Sequence, residues 1–131
     1  INFDKEFFPA PRDIWLQSYI QDKTILTAVV RDNNNGQIIG YGIARPSISG
    51  YRLGPLYSND YEVIRKLMNS LLLQMNPNSC FYIDIPKCNQ QTEYLIKDFQ
   101  LEYQWECMRM YTGNPPQINW NGIYAISSLE L

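Results

Sequence analysis

The chain has 131 residues, with eleven Lys and Arg against thirteen Asp and Glu, ten tyrosines and no histidine. That length suits one domain burying roughly two-thirds of the surface its unfolded chain exposes, and a net charge of −2 lacks the dense positive stripe that nucleic acid requires. Without histidine, Ser-His-Asp, Cys-His and His-metal chemistry is excluded within these residues, and no run of about eighteen apolar residues offers a membrane span.

The first expected element is a helix over Pro9 to Gln21. Proline suits a first turn, and Ile14, Trp15, Leu16, Tyr19 and Ile20 follow a helical stripe. Thr24 to Arg31 is rich in β-branched residues and predicts a strand. Asp32 to Gly36 ends in Asn-Gly, a hairpin signal, so the chain should return as a strand from Gln37 to about Arg45. Pro46 to Gly50 makes a second turn, and Tyr51 to Tyr57 completes a three-strand antiparallel meander.

Asn59 stands three residues before Glu62, the spacing of a capping box. Val63, Ile64, Leu67, Met68, Leu71, Leu72 and Met75 then recur at helical spacing, until Asn76-Pro77-Asn78 stops the helix. Cys80 to Ile85 reads as a strand and Asn89 to Phe99 as a helix with Asn89 as its cap. Two strands, Tyr103 to Tyr111 and Tyr124 to Leu131, finish the chain around the turn-rich stretch Gly113 to Pro116. The order predicts a single mixed α/β domain over residues 1–131.

Several residues carry chemistry worth following. Asp84 ends a predicted central strand, where a carboxylate can serve as a base toward an amine; a solvated strand-end carboxylate is the plainer alternative. Arg45, Arg52 and Arg109 suit bidentate capture of a carboxylate or phosphate, against which stands ordinary surface pairing. The strand aromatics Tyr41, Tyr51, Tyr57, Tyr82, Tyr103, Trp105 and Tyr111 suit sheet packing, with Tyr57 and Tyr111 the candidates for lining a cleft. Cys80, Cys88 and Cys107 are odd in number and lack CxxC spacing, so buried, reduced thiols in a cytoplasmic protein are expected. Cys88 alone follows a lysine at a helix start, where its pKa could fall. The first residue is isoleucine, which suggests a piece of a longer protein.

The segments "FPAPR" (8–12), "GYGIARP" (40–46), "GYRLGPLYSND" (50–60), "FYIDIP" (81–86), "MRMYTGNPP" (108–116) and "YAISSLEL" (124–131) resemble the C-terminal acetyltransferase-like domain of tandem members of the GNAT N-acetyltransferase superfamily. The element order is similar to that fold as well, although no strand precedes the first helix. The resemblance implies an acyl-CoA N-acyltransferase-like mixed sheet, acetyl-CoA as cofactor, a small amine as acceptor, and an N-terminal acetyltransferase domain as partner in the same chain. Within that fold, Leu56, Tyr57, Ser58 and Asn89 are the expected cofactor-binding positions, Arg45, Arg52, Arg109 and Tyr111 the substrate-binding ones, and Asp84, from its place at a strand end, the expected catalytic residue.

In such a fold the acyl-CoA arm pairs with a gap between two splayed parallel strands, here Tyr51–Tyr57 and Cys80–Ile85, and its pyrophosphate meets the next helix N-terminus. The superfamily's Gln/Arg-x-x-Gly-x-Gly/Ala signature falls on Asn59, Glu62 and Ile64, so neither glycine is present. Its general-acid tyrosine, separated by six residues from an asparagine that Asn89 matches, falls on Ile96, and Gln100-Leu101 replace the usual Gly-Phe. Tyr94 lies two residues earlier, about 200° around a helix. Two readings follow: a catalytically silent half that supports an N-terminal domain, and an active acyltransferase with atypical CoA binding.

Overall fold

The structure is a computed structural model and describes residues 1–128. The hairpin predicted at Asp32–Gly36 joins β1 (Leu26–Arg31) to β2 (Ile38–Pro46), and the turn after Pro46 leads into β3 (Tyr51–Ser58). The Asp32 carboxylate accepts from the amides of Asn34 and Asn35, the local bonding that makes aspartate a turn former. All three strands are antiparallel. β3 then leads through α2 (Tyr61–Gln74) to β4 (Phe81–Ile83), which lies parallel to it with Tyr51 opposite Phe81 and Leu53 opposite Ile83.

After α3 (Thr92–Asp98) and a long connection, β5 (Ile123–Ala125) returns antiparallel to β3, with Leu56 opposite Ala125 and Tyr57 opposite Ile123. One edge of β3 is thus divided between two strands. The chain changes neighbour at Gly54, where a Cβ would stand 2.0 Å from the Ile126 carbonyl oxygen. The Ile126 amide donates to the Asp84 carbonyl at 3.1 Å, so the segment after β5 is stitched to the end of β4.

Strand alternation sorts the core into two faces. On one, Ala44, Leu53 and Leu56 meet Val63, Ile64, Leu67, Met68 and Leu71 of α2, all buried. Gly40 permits the close fit, because a Cβ there would come within 2.5 Å of the Val63 Cγ1. On the other face Tyr41, Ile43, Tyr57 and Ile123 pack under Phe7 and under Leu16 of α1 (Asp13–Gln21). Each buried aliphatic or aromatic side chain contributes about 1.5–3 kcal/mol of transfer free energy, the main favourable term on both faces.

The elements differ from expectation at their ends. The first helix begins at Asp13 rather than at Pro9, because Pro9 to Arg12 stay extended or bent. The strand at Cys80–Ile85 shortens to Phe81–Ile83, and the helix at Asn89–Phe99 to Thr92–Asp98 after a turn. No strand forms at Tyr103–Tyr111 among the described residues. Its β-like composition finds no neighbouring edge, and Tyr103, Trp105, Met108 and Met110 stay largely exposed. Tyr82 is likewise half exposed, so sheet packing holds for Tyr41, Tyr51 and Tyr57 but not for Tyr82, Tyr103 and Trp105. All three cysteines are exposed rather than buried: Cys80 precedes the short edge strand, and Cys107 sits in the unpaired segment. Of the predicted last strand, residues 129–131 lie outside the described residues.

Candidate functional site

The N-terminus of α2 is the first place to look for an anion. Asp60, not Asn59, caps this helix: its carboxylate accepts from the Glu62 amide at 2.9 Å. An ionised acceptor one residue closer satisfies the second helical amide better than a neutral amide side chain does. Asn59 is employed elsewhere, donating to Glu6 at 2.9 Å and accepting from Asn119 at 2.7 Å. Around the cap lies an open depression of about 520 Å³, lined by Asn59, Asp60, Tyr61, Glu62, Gln91 and Tyr94. Both of its charged groups are carboxylates, and Arg65 beside it is turned onto Glu62 and Asp98.

Two tyrosines, Tyr61 and Tyr94, line this depression, and a third, Tyr124, is buried against Tyr61. The Tyr61 ring lies 5.7 Å from that of Tyr94 and 6.0 Å from that of Tyr124. Burial, together with its hydrogen bond to Asp98, raises the Tyr61 phenol well above its ordinary pKa. Burial pushes the Tyr124 phenol up to about 12, and its hydroxyl donates to Gln91 at 2.5 Å.

The expected cofactor positions line up along β3 and its neighbours. Leu56, Tyr57 and Ser58 are fully buried. On one edge Leu56 and Tyr57 face Gly42 and Tyr41 of β2, and on the other they face Ala125 and Ile123 of β5. The Ser58 hydroxyl donates to the Ile39 carbonyl at 2.7 Å and accepts from the Asp60 amide at 3.1 Å. Asn89 is buried, and its amide nitrogen donates to the carbonyls of Asn121 (3.1 Å) and Ile123 (2.9 Å) while its oxygen accepts from the Gln91 amide at 3.1 Å. It ties the turn before α3 to β5.

The substrate candidates fall into two groups. Arg45 and Arg52 stand directly opposite one another on β2 and β3, and Arg52 is ion-paired to Asp84 just beyond β4. Arg109 is not brought to them. It lies over the Trp120 ring, 3.7 Å from its centroid, and donates to the Cys88 sulfur at 3.4 Å. Tyr111 is on the same exposed segment as Arg109, with its ring half exposed. Tyr57 lines no cleft: its ring packs 5.0 Å from Phe7 and 5.5 Å from Tyr41.

The sequence carries little sign of the most buried charges among the described residues. Arg12 donates from Nε to Asp4 at 2.7 Å and from Nη2 at 2.5 Å, with side-chain exposures of only 8% and 5%. Arg12 also reaches Ser127 and the Tyr57 hydroxyl, its guanidinium lies over Phe8, and Tyr41 donates to Asp4. Burial opposes the charge on Arg12, but the bond to Asp4 and the neighbouring Tyr57 and Tyr41 outweigh it and raise its pKa. Burial first, and then the Asp4 charge, raise the Tyr41 phenol as well. The one signal in the sequence was an arginine among aromatics in Phe8-Pro9-Ala10-Pro11-Arg12, with Asp4 upstream. The cluster clamps the N-terminal segment to the sheet.

The profile of the "Acetyltransferase (GNAT) domain" family matches residues 1–125. A curated relative, "Holothin acyltransferase" of Pseudoalteromonas sp. (strain SANK 73390), is 34% identical over 131 residues, covering 100% of this chain. The chain spans 44% of the length of that relative. No solved structure matches the chain significantly.

Proposed function

The chain belongs to the GNAT acetyltransferase family, and from that premise we propose that it is the supporting half of a longer N-acyltransferase whose acyl-CoA is held by another domain. The observation that carries this reading is the filling of β3. An acyl-CoA arm that adds to a sheet needs main-chain groups with a vacant edge, and at Leu56 and Tyr57 both edges are taken, by β2 and by β5. The α2 N-terminus supports the same reading. Its amides are capped by Asp60, with Glu62 beside them, where a pyrophosphate would need unoccupied donors. The acceptor of the whole protein, on this reading, is a small amine.

Isothermal titration of acetyl-CoA into the chain checks the proposal. No saturable heat is expected up to millimolar concentration, either for the natural chain or for the charge-neutral variant Asp60→Asn/Glu62→Gln. Micromolar binding by the natural chain defeats the supporting-half reading. Binding by the neutral variant alone would mean that charge, not the filled edge, closes the site.

A further inference from the structure

We infer that the α1-side face of the sheet holds a carboxylate-binding site built on Arg45 and Arg52, independent of any acyl-CoA. β2 and β3 place these residues directly opposite each other, and β4 places Tyr82 opposite Arg52. Register partners share a face, so Arg45, Arg52 and Tyr82 form one row across three strands. Ala44 and Leu53, their chain neighbours, point to the other side, under α2. Like charges directly opposite in an antiparallel pair repel. A fold tolerates such a pair where an anion sits between or beside the two.

The anion paired within this row balances only half of it. Asp84 pairs with Arg52 through Nη2. The polar partner of Arg45 is the neutral hydroxyl of Tyr19, at 3.2 Å, and Tyr19 is itself held by stacking on Trp15 with ring centroids 4.6 Å apart. The Nε–H of Arg52 is buried and makes no hydrogen bond. Two guanidinium groups and one carboxylate leave this row a net positive charge, and Arg52 keeps one unmet hydrogen bond. Buried donors are nearly always satisfied, and an exception calls for a missing partner.

The charge count selects the ligand. A single negative charge makes the cluster neutral, and a planar carboxylate matches the guanidinium fork. A phosphate dianion would overcompensate the cluster and leave it with a net negative charge. Tyr82, 44% exposed at the end of the row, offers the body of the ligand an aromatic face. The site therefore takes a small carboxylic acid with a flat or apolar body.

Benzoate is the probe, read by the arginine Nε–Hε resonances in proton–nitrogen spectra of the natural chain at constant ionic strength. The Arg52 and Arg45 signals are expected to move saturably at millimolar benzoate. They should stay still with benzamide, and inorganic phosphate or chloride should move them no more than general screening does. Arg45→Gln removes the saturable shift at Arg52, and Asp84→Asn, by deleting the internal competitor, tightens benzoate on the order of tenfold. The assignment is overturned if the natural chain shows no saturable shift, if phosphate or chloride reproduces it, or if Arg45→Gln leaves it intact.

Discussion

Removing the guanidinium of Arg12 strands the Asp4 carboxylate, which is 4% exposed, in the middle of an aromatic cluster. Breaking a buried pair from one side leaves an uncompensated charge, so Arg12→Ala should cost about 3–5 kcal/mol, read as a fall in the unfolding free energy by urea titration. Replacing both partners with apolar residues of similar volume, as in Asp4→Leu/Arg12→Met, should recover most of that loss, since desolvation no longer has to be offset. A double variant no more stable than the single one would show that the wider contacts of Arg12, and not its charge, hold the segment. This cluster illustrates what a sequence conceals at the scale of one side chain. Asp4 and Tyr41 are 37 positions apart, and neither a spacing nor a composition signal joins them. Arg45 and Arg52 could be singled out because a tight turn lies between them, which fixes their register by itself.

At the scale of elements, α2 is the clearest case of local sequence deciding local structure. Its apolar stripe was read correctly, and only its cap was misplaced by one residue. Asp60→Ala should therefore destabilise the chain by about 0.5–2 kcal/mol, while Asn59→Ala should leave the helix start intact and instead loosen the contact to Glu6 and Asn119; amide exchange at Glu62 separates the two. The meander was equally legible, because turn chemistry and β-branched runs are both short-range. β4 and β5 were harder. Three residues each, they are strands only because β3 lies beside them, and their bounds come from where β3 can be shared. The alternating pattern of Tyr103–Tyr111 has the opposite fate: the propensity is there and the partner edge is not.

For the whole molecule, the consequence is an uneven distribution of protection. Between positions 102 and 117 no main-chain hydrogen bond links the segment to another described residue, and its contacts are side-chain ones such as Lys87 with Glu106 and Arg109 with Trp120. Chymotrypsin should cut within 101–117 before it cuts any strand, since exposed chain without backbone partners is the preferred site of nicking. The two fragments should stay together through β5. First cuts in β1–β3 would contradict the described packing. The family and mixed α/β fold could be read from the chain because motif strings and element order survive local changes. Which edges are occupied could not, because occupancy belongs to the assembled sheet.

The sharing of β3 also has a kinetic side. β3 pairs with β2 across a four-residue connection but with β5 across more than sixty positions, and loop-closure entropy must be met before distant contacts return any free energy. The meander and α2 can assemble as soon as residues 26–74 exist. Ile123, which packs with Phe7 on the same face, can arrive only after more than a hundred further residues have been made. During synthesis on the ribosome, the segment around Phe7 thus waits for its last neighbour, and the edge of β3 at Leu56 and Tyr57 stays open until residues 123–125 have emerged.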